Sequence, residues 1–486
     1  MKNVIMKKSL ILVSIAGSAL ASFGAIRAVT PTAWDGNPNC WQMKRHHEKM
    51  ACVTNGGAKV VFIGDSITHF WEGDGTWKKY FSEGDMKALD LGTSADRTEH
   101  VLWRLTEGKE LDGYEAKIIF LMIGTNNSGH FSPWMEPPSD AILGIREILK
   151  VIVAKQPKAT VVLTSIFPRG RDANDSYRQR NAVVNREIRR FADGKRILWL
   201  NMDGVFMAAD GSLSTELFPD LLHPNTKGYE MWYAAIRPYL EYALTDRSVA
   251  YGFTDLKPSP VVAAKEPEAV RPVTRIRSEG YGTFDWWLDR LLEKRNQIAD
   301  SKGEIDLVFF GDSITHNWEK QGKESLAELC KTYSVLDIGY SGDRTQHLLW
   351  RGQNGELDTY KAKCVMLMIG TNNRNDSAED VAKGIKAILD LIAKKQPQAK
   401  TLLLPIFPDG ASAQDQHRVK NEKTNAIIKG FADGQKVIWV DFNAKFLDEK
   451  GDTKWIMPDR LHPTADGYKT IWLPAVLPHF KAIVGK

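Results

Sequence analysis

Two copies of an α/β domain, each with a parallel sheet covered on both faces, are what the sequence predicts. Apolar runs of strand length alternate with helix-like segments, the signature of βαβ units, and the alternation restarts from Trp286. The halves also share short stretches in the same order. V-V-F-I-G-D-S-I-T at 60–68 matches L-V-F-F-G-D-S-I-T at 307–315, and L-D-L-G at 89–92 matches L-D-I-G at 336–339. H-V-L-W-R at 100–104 matches H-L-L-W-R at 347–351, and F-L-M-I-G-T-N-N at 120–127 matches M-L-M-I-G-T-N-N at 366–373. One domain has been duplicated whole.

The chain opens with Lys2, Lys7 and Lys8, an apolar run over 10–20, and Ala19-Leu20-Ala21. This pattern predicts a signal peptide over 1–21 and export to the periplasm or the extracellular space. The run is shorter than the ~20 residues that span a bilayer. No later apolar run is long enough either, so stable membrane insertion is not expected. Loss of the three lysines lowers the formal charge from +5 to +2, a balance that argues against nucleic acid as partner. With 43% apolar and 26% charged residues in 486, the composition is that of a soluble globular protein with a large core. Of the four cysteines, Cys40 and Cys52 fall on one helical stretch about 18 Å apart and cannot pair within it. Cys364 lies in an apolar run and reads as a buried small hydrophobe.

Taken in order, a lead-in helix over 34–54 opens a first domain at 33–245. Its strands are expected near 59–64, 88–92, 117–123, 160–167 and 197–201. Residues 246–275 carry Pro258, Pro260, Pro267 and Pro272 without apolar periodicity, so a semi-stiff linker is expected there. A second domain then covers 276–486, and the two are expected to fold separately.

In each copy the first apolar run breaks at a glycine, and Ser66 or Ser313 follows at a helix start. A hydroxyl there stands at the carboxyl edge of the sheet, where open α/β sheets keep their ligands, above a helix amino terminus that favours negative charge. Gly-Asp-Ser alone is weak, since most serines at helix starts are caps. Three histidine pairs survive duplication. His69 with His316 and His100 with His347 read as structural. The third pair differs: Asp220 precedes His223 by three residues in F-P-D-L-L-H-P, as Asp459 precedes His462 in M-P-D-R-L-H-P. An imidazole can take the serine proton, and the aspartate can orient the ring. Acyl transfer also needs donors for a developing oxyanion. Asn126 and Asn372 follow the third strand, the serine supplies its own N–H, and a further N–H comes from Ala95 or Gly342 after the second strand. Alanine resists a positive φ, so a turn that needs one would compromise the first site. Trp71, Trp77 and Trp318 follow the serines closely and read as helix packing before sugar stacking.

These blocks, Gly-Asp-Ser, the loop glycine, Gly-x-Asn and Asp-x-x-His in that order, resemble the SGNH (GDSL) hydrolases. The stretches G-D-R-T-Q-H-L-L-W-R, I-G-T-N-N and Q-P-Q-A-K look closest to the catalytic subunits of platelet-activating-factor acetylhydrolase and their bacterial relatives. The resemblance covers both domains and implies a flavodoxin-like three-layer α/β/α fold, with a five-stranded parallel sheet in each. It implies ester hydrolysis through an acyl-serine, with no metal and no cofactor. By position, Ser66 and Ser313 become nucleophiles, His223 and His462 bases, Asp220 and Asp459 their orienters. Asn126, Asn372 and Gly342 become oxyanion donors, with Ala95 departing from the expected glycine.

Relatives of this kind remove small acyl groups from phospholipids, sugars or polysaccharides. Export favours an acetylated glycan as the substrate partner, with a lipid acyl hydrolase, or a glycan-binding protein whose sites have lost turnover, as alternatives. The first half carries six extra residues just past Asn126, including His130, Phe131, Trp134 and Met135. Two readings stand for this insertion: His130 and Trp134 wall the acyl or alcohol pocket, or the segment is a surface loop that packs on its own domain. There is no G-x-S-x-G elbow, no phosphate-binding G-x-x-x-x-G-K-[ST] loop, no H-E-x-x-H and no paired C-x-x-C.

Overall fold

The structure, a computed structural model, describes residues 26–34, 39–82, 88–129, 135–245, 266–276, 286–301 and 303–485. The expected signal at 1–21 and residues 246–265 of the expected linker lie outside the described residues.

Each half is built on a five-stranded parallel sheet. In the first, β1 (Val60–Gly64), β2 (Ala88–Asp90), β3 (Ile118–Met122), β4 (Thr160–Thr164) and β5 (Ile197–Leu200) stand in the order β2-β1-β3-β4-β5. In the second, β6 (Glu304–Gly311), β7 (Val335–Gly339), β8 (Lys361–Met368), β9 (Lys400–Leu403) and β10 (Val437–Trp439) repeat it as β7-β6-β8-β9-β10. This is the flavodoxin-like order, whose switch point lies between the first and third strands.

The strands read as continuous apolar runs because both of their faces are covered. Val61, Ile63, Ile119 and Leu121 pack towards the helices Trp41–Thr54, Thr98–Leu105, Pro138–Lys155 and Ser176–Ile188. Their neighbours Val60, Phe62 and Phe120 face the other layer, formed by Ser66–Glu72, Gly75–Phe81 and Thr226–Leu244. Trp71, Trp77 and Trp318 are core residues of this layer and its counterpart: Trp71 stacks on Trp232 at 4.4 Å, and Trp318 meets Trp472 at 5.2 Å. None of the three is free to stack on a sugar. The four cysteines are unpaired, and Cys364 is buried in β8, where burial pushes its thiol up to about 12.

One boundary differs from expectation. Part of the proline-rich stretch belongs to the second domain: the turn Glu268–Val270 buries Ala269, whose carbonyl accepts a 2.8 Å hydrogen bond from Thr345 Oγ1. Arg27–Val29 does the same in the first half, through Thr98 Oγ1 and the Ala28 carbonyl at 2.8 Å. A three-residue turn has no periodicity to read, so its prolines resemble a linker. The halves also touch each other. Asp140 is salt-bridged to Arg295 through Nε at 2.9 Å and Nη2 at 3.0 Å, with both side chains buried. Asn296 accepts from the Ile26 N–H at 2.9 Å, and Arg190 donates to the Ile276 carbonyl at 3.0 Å.

Arg295→Ala leaves Asp140 buried without its cation and is expected to cost about 3–5 kcal/mol. In urea titrations, Asp140→Ala combined with Arg295→Ala should lose less than the sum of the single changes, because the two positions share one interaction.

Candidate active site

Gly64 ends β1 where the next helix must turn tightly beneath the sheet rim. A Cβ at this position would lie 2.7 Å from the Met122 carbonyl, and at Gly311 2.5 Å from the Met368 carbonyl. Asp65 then caps the helix by accepting from Ile67 N at 3.1 Å, and Asp312 does so from Ile314 N at 3.0 Å. Burial pushes both carboxyls up to about 7. The cap leaves Ser66 and Ser313 as the first helical residues, at the rim.

The histidine arrives from the far end of each domain. His223 Nε2 lies 2.9 Å from Ser66 Oγ, and His462 Nε2 lies 2.8 Å from Ser313 Oγ. Their Nδ1 atoms each lie 2.6 Å from Asp220 Oδ2 and Asp459 Oδ2. The other carboxylate oxygen accepts the histidine's own backbone N–H at 2.7 Å in both halves, closing a tight loop. The loop requires a left-handed residue, supplied by Leu221 (φ 59°) and Arg460 (φ 67°). Their carbonyls are held by Gly170 N at 2.9 Å and Gly410 N at 3.1 Å. Partial burial opposes ionisation of Asp220, but bonds from the His223 side chain and backbone outweigh it and hold the carboxyl below its ordinary range. Asp459 is lowered in the same way by His462. From the last helix of each domain, Tyr229 Oη donates to the Ile67 carbonyl at 3.0 Å and Tyr468 Oη to the Ile314 carbonyl at 2.6 Å.

The loop after the second strand completes the rim. Ala95 adopts φ 67° and Gly342 φ 77°, so the left-handed turn is kept in the first half despite its Cβ. Asn126 Nδ2 donates to the Asp96 carbonyl, and Asn372 Nδ2 to the Asp343 carbonyl, both at 2.9 Å. Each amide therefore presents its NH2 group to this loop. The structure brings together Ser66, Asp220 and His223, and likewise Ser313, Asp459 and His462, with Asn126 and Asn372 bonded to the loops that carry Ala95 and Gly342. His130 and Trp134 lie outside the described residues.

The GDSL-like lipase/acylhydrolase family matches residues 62–231 and again 309–470. The chain belongs to this family. Among curated relatives, platelet-activating factor acetylhydrolase IB subunit alpha2 of Rattus norvegicus is 37% identical over 190 residues, covering 38% of this chain and 82% of the relative. Subunit alpha1 of Bos taurus is 34% identical over 219 residues, covering 45% and 90%. Each relative thus spans about one of the two repeats. A solved GDSL-like lipase from Bacteroides thetaiotaomicron shares 20% identity, with a TM-score of 0.34, over 41% of this chain and 99% of that one.

In this GDSL-like chain the remaining repeated histidines brace backbone. His100 Nδ1 accepts from Arg97 N at 3.1 Å and His347 Nδ1 from Arg344 N at 2.9 Å, the third-residue half of a capping box. Burial beside arginines pushes them down to about 3 and about 2. His69 bonds Ser94 Oγ at 2.8 Å and His316 bonds Ser341 Oγ at 2.9 Å, tying the serine helix to the loop of Ala95 or Gly342. Burial lowers His69 to about 4 and His316 to about 3.

Sequence reasoning missed what holds that loop from behind. Arg104 Nε donates to Asp96 at 2.9 Å and Trp34 Nε1 at 2.7 Å; Arg351 Nε donates to Asp343 at 2.9 Å and Trp287 Nε1 at 3.0 Å. Both arginines are buried and also meet Glu110 and Glu356. The available signal was an aspartate and an arginine eight residues apart inside a stretch repeated in both halves.

Two outcomes follow for stability. Gly342→Ala should cost about 1–2 kcal/mol, the left-handed penalty of a Cβ, which would also approach Arg275 Nη1 to 2.9 Å; Ala95→Gly should be neutral or stabilising, both read by chemical denaturation. Secondly, folded His347 stays neutral to about pH 2 while the unfolded ring protonates near its ordinary 6.5. Its contribution is therefore complete above pH 6.5 and lost on acidification below that value. His347→Gln keeps an acceptor at the cap, so its melting temperature relative to the parent should rise as pH is lowered from 7.5 to 5.

Proposed function

We propose that each half is a serine esterase acting on small acyl esters through an acyl-serine. The observation that carries this reading is the unbroken run of hydrogen bonds from serine Oγ through histidine to aspartate, present in both halves. Serine Oγ attacks the ester carbonyl carbon while its proton passes to histidine Nε2. The aspartate on Nδ1 holds the tautomer and stabilises the imidazolium. The carbonyl oxygen becomes an oxyanion facing the serine N–H, the N–H of Ala95 or Gly342, and the amide of Asn126 or Asn372. Collapse expels the alcohol, which takes the proton from Nε2. Water, deprotonated by the same nitrogen, then attacks the acyl-serine and releases the acid.

We take acetyl as the acyl group, and O-acetylated carbohydrate outside the cytoplasm as the substrate. The amino-terminal signal pattern supports the location, and a substrate met after export favours glycan over lipid. A second reading, hydrolysis of a lipid acyl ester, draws on the similarity to the platelet-activating factor acetylhydrolase subunits.

With p-nitrophenyl acetate, Ser66→Ala and Ser313→Ala should each leave the other site's turnover, and the double variant should fall by about 10³-fold or more. Retained turnover in the double variant would remove both serines from the mechanism. Acetate release from acetylated glycans, set against release from acetylated lipids, tests the choice of substrate.

A further inference from the structure

The first half reaches the second active site through the segment ahead of the helix Trp286–Asp300. Thr274 and Ile276 of this segment are buried. Thr274 Oγ1 donates to Glu187, while Arg190 Nη1 donates to the Ile276 carbonyl at 3.0 Å and to Thr274 Oγ1 at 3.3 Å. Glu187 and Arg190 belong to the first half, at the end of Ser176–Ile188 and in the turn Arg189–Phe191. Between the two anchored residues stands Arg275. Its Nη1 donates to the Ser341 carbonyl and lies 3.6 Å from Oδ1 of the buried Asp343. The guanidinium rests against Gly342, where a Cβ would come within 3.2 Å of Nη1, Nη2 and Cζ.

These contacts bear on one peptide unit, the one that joins Ser341 to Gly342. Its N–H is the donor that Gly342 offers to an oxyanion, and its carbonyl is the one that Arg275 holds. A carbonyl that accepts a charge-assisted bond polarises its own peptide, and such cooperativity strengthens the N–H as a donor by roughly 10–30%. The bond also fixes the peptide plane, while His316 holds the Ser341 hydroxyl at 2.9 Å. A donor that needs no reorganisation when charge develops is what the tetrahedral intermediate requires. Counted from Ala28 and Ala269, whose carbonyls accept the same threonine bond, position 275 corresponds to Trp34, whose Nε1 goes to Asp96. In the second half Trp287 makes that bond to Asp343, so an arginine can stand at position 275.

We infer that Arg275 is a positioning residue of the second site: it orients and polarises the Ser341–Gly342 peptide, and the first half holds it there through Glu187 and Arg190. The second site is completed by the half that precedes it. The inference rests on the esterase reading, in which the Gly342 N–H faces the oxyanion.

The test uses the full chain with p-nitrophenyl acetate, Ser66→Ala reporting the second site and Ser313→Ala the first. In the Ser66→Ala chain, Arg275→Ala should lower kcat by about three- to tenfold, less than the ~10²-fold or more for outright loss of an oxyanion donor. KM should change little, because the polarised donor acts on the intermediate and not on the bound ester. Arg275→Lys keeps a charged donor and should retain most of the rate. Arg190→Ala should lower kcat in the same direction by a smaller factor. In the Ser313→Ala chain, Arg275→Ala should leave turnover unchanged. Should Arg275→Ala fail to fold, Arg275→Gln keeps a neutral donor and should give an intermediate kcat. An unchanged kcat in the Ser66→Ala chain, an equal loss in both single-site chains, or a change confined to KM would overturn the inference with the esterase reading intact. Turnover by the Ser313→Ala chain alone would do the same. An unchanged kcat on Arg190→Ala would overturn the part assigned to the first half. Absence of p-nitrophenyl acetate turnover in both single-site chains would overturn the inference and the esterase reading together.

Discussion

One hydrogen bond, between a serine near the start of each domain and a histidine near its end, is what the architecture serves. It spans 157 residues in the first half and 149 in the second. No local preference can make such a contact. It depends on a strand order that places the serine beside the switch point, and on the long last helix being tied by its tyrosine to the carbonyl next to the serine. It depends also on the loop after the fourth strand, whose glycine N–H holds the left-handed residue between aspartate and histidine. That strained residue costs about 1–2 kcal/mol and persists because bonds on both sides over-determine it.

Much of this was open to inspection in the amino-acid order. Strands buried on both faces leave uninterrupted apolar runs, and the ordered return of Gly-Asp-Ser, Gly-x-Asn and Asp-x-x-His made chance a poor explanation. Arg104 and Arg351 were not visible as supports, because an arginine on a short helix ordinarily faces solvent; only the fold shows each enclosed between two carboxylates. Trp71 and Trp318 stand close after a serine, yet the helix turns them into the core. The turn Glu268–Val270 was hidden among prolines, and the pairing of Asp140 with Arg295 joins residues too far apart in sequence to suggest each other.

Duplication lets the halves be read against each other. Several packing partners recur: arginine to aspartate behind the loop after the second strand, histidine under the helix cap, tyrosine on the carbonyl after the serine. Part of the divergence between the copies lies at the rim. Ala95 stands where the second half has Gly342 yet holds a similar left-handed backbone angle, so its Cβ is absorbed as strain. Phe70 and Asn317 change polarity without altering the frame. Conserved scaffolding with a variable edge is how one fold comes to accept different ligands.

The buried joint between Asp140 and Arg295 has an outcome for the enzyme as a particle. Two separate subunits meet or part according to how much of each is present, and dilution drives them apart. Here the partner is covalently attached, so its local abundance never falls, and the pairing persists even for a single molecule released into a large volume.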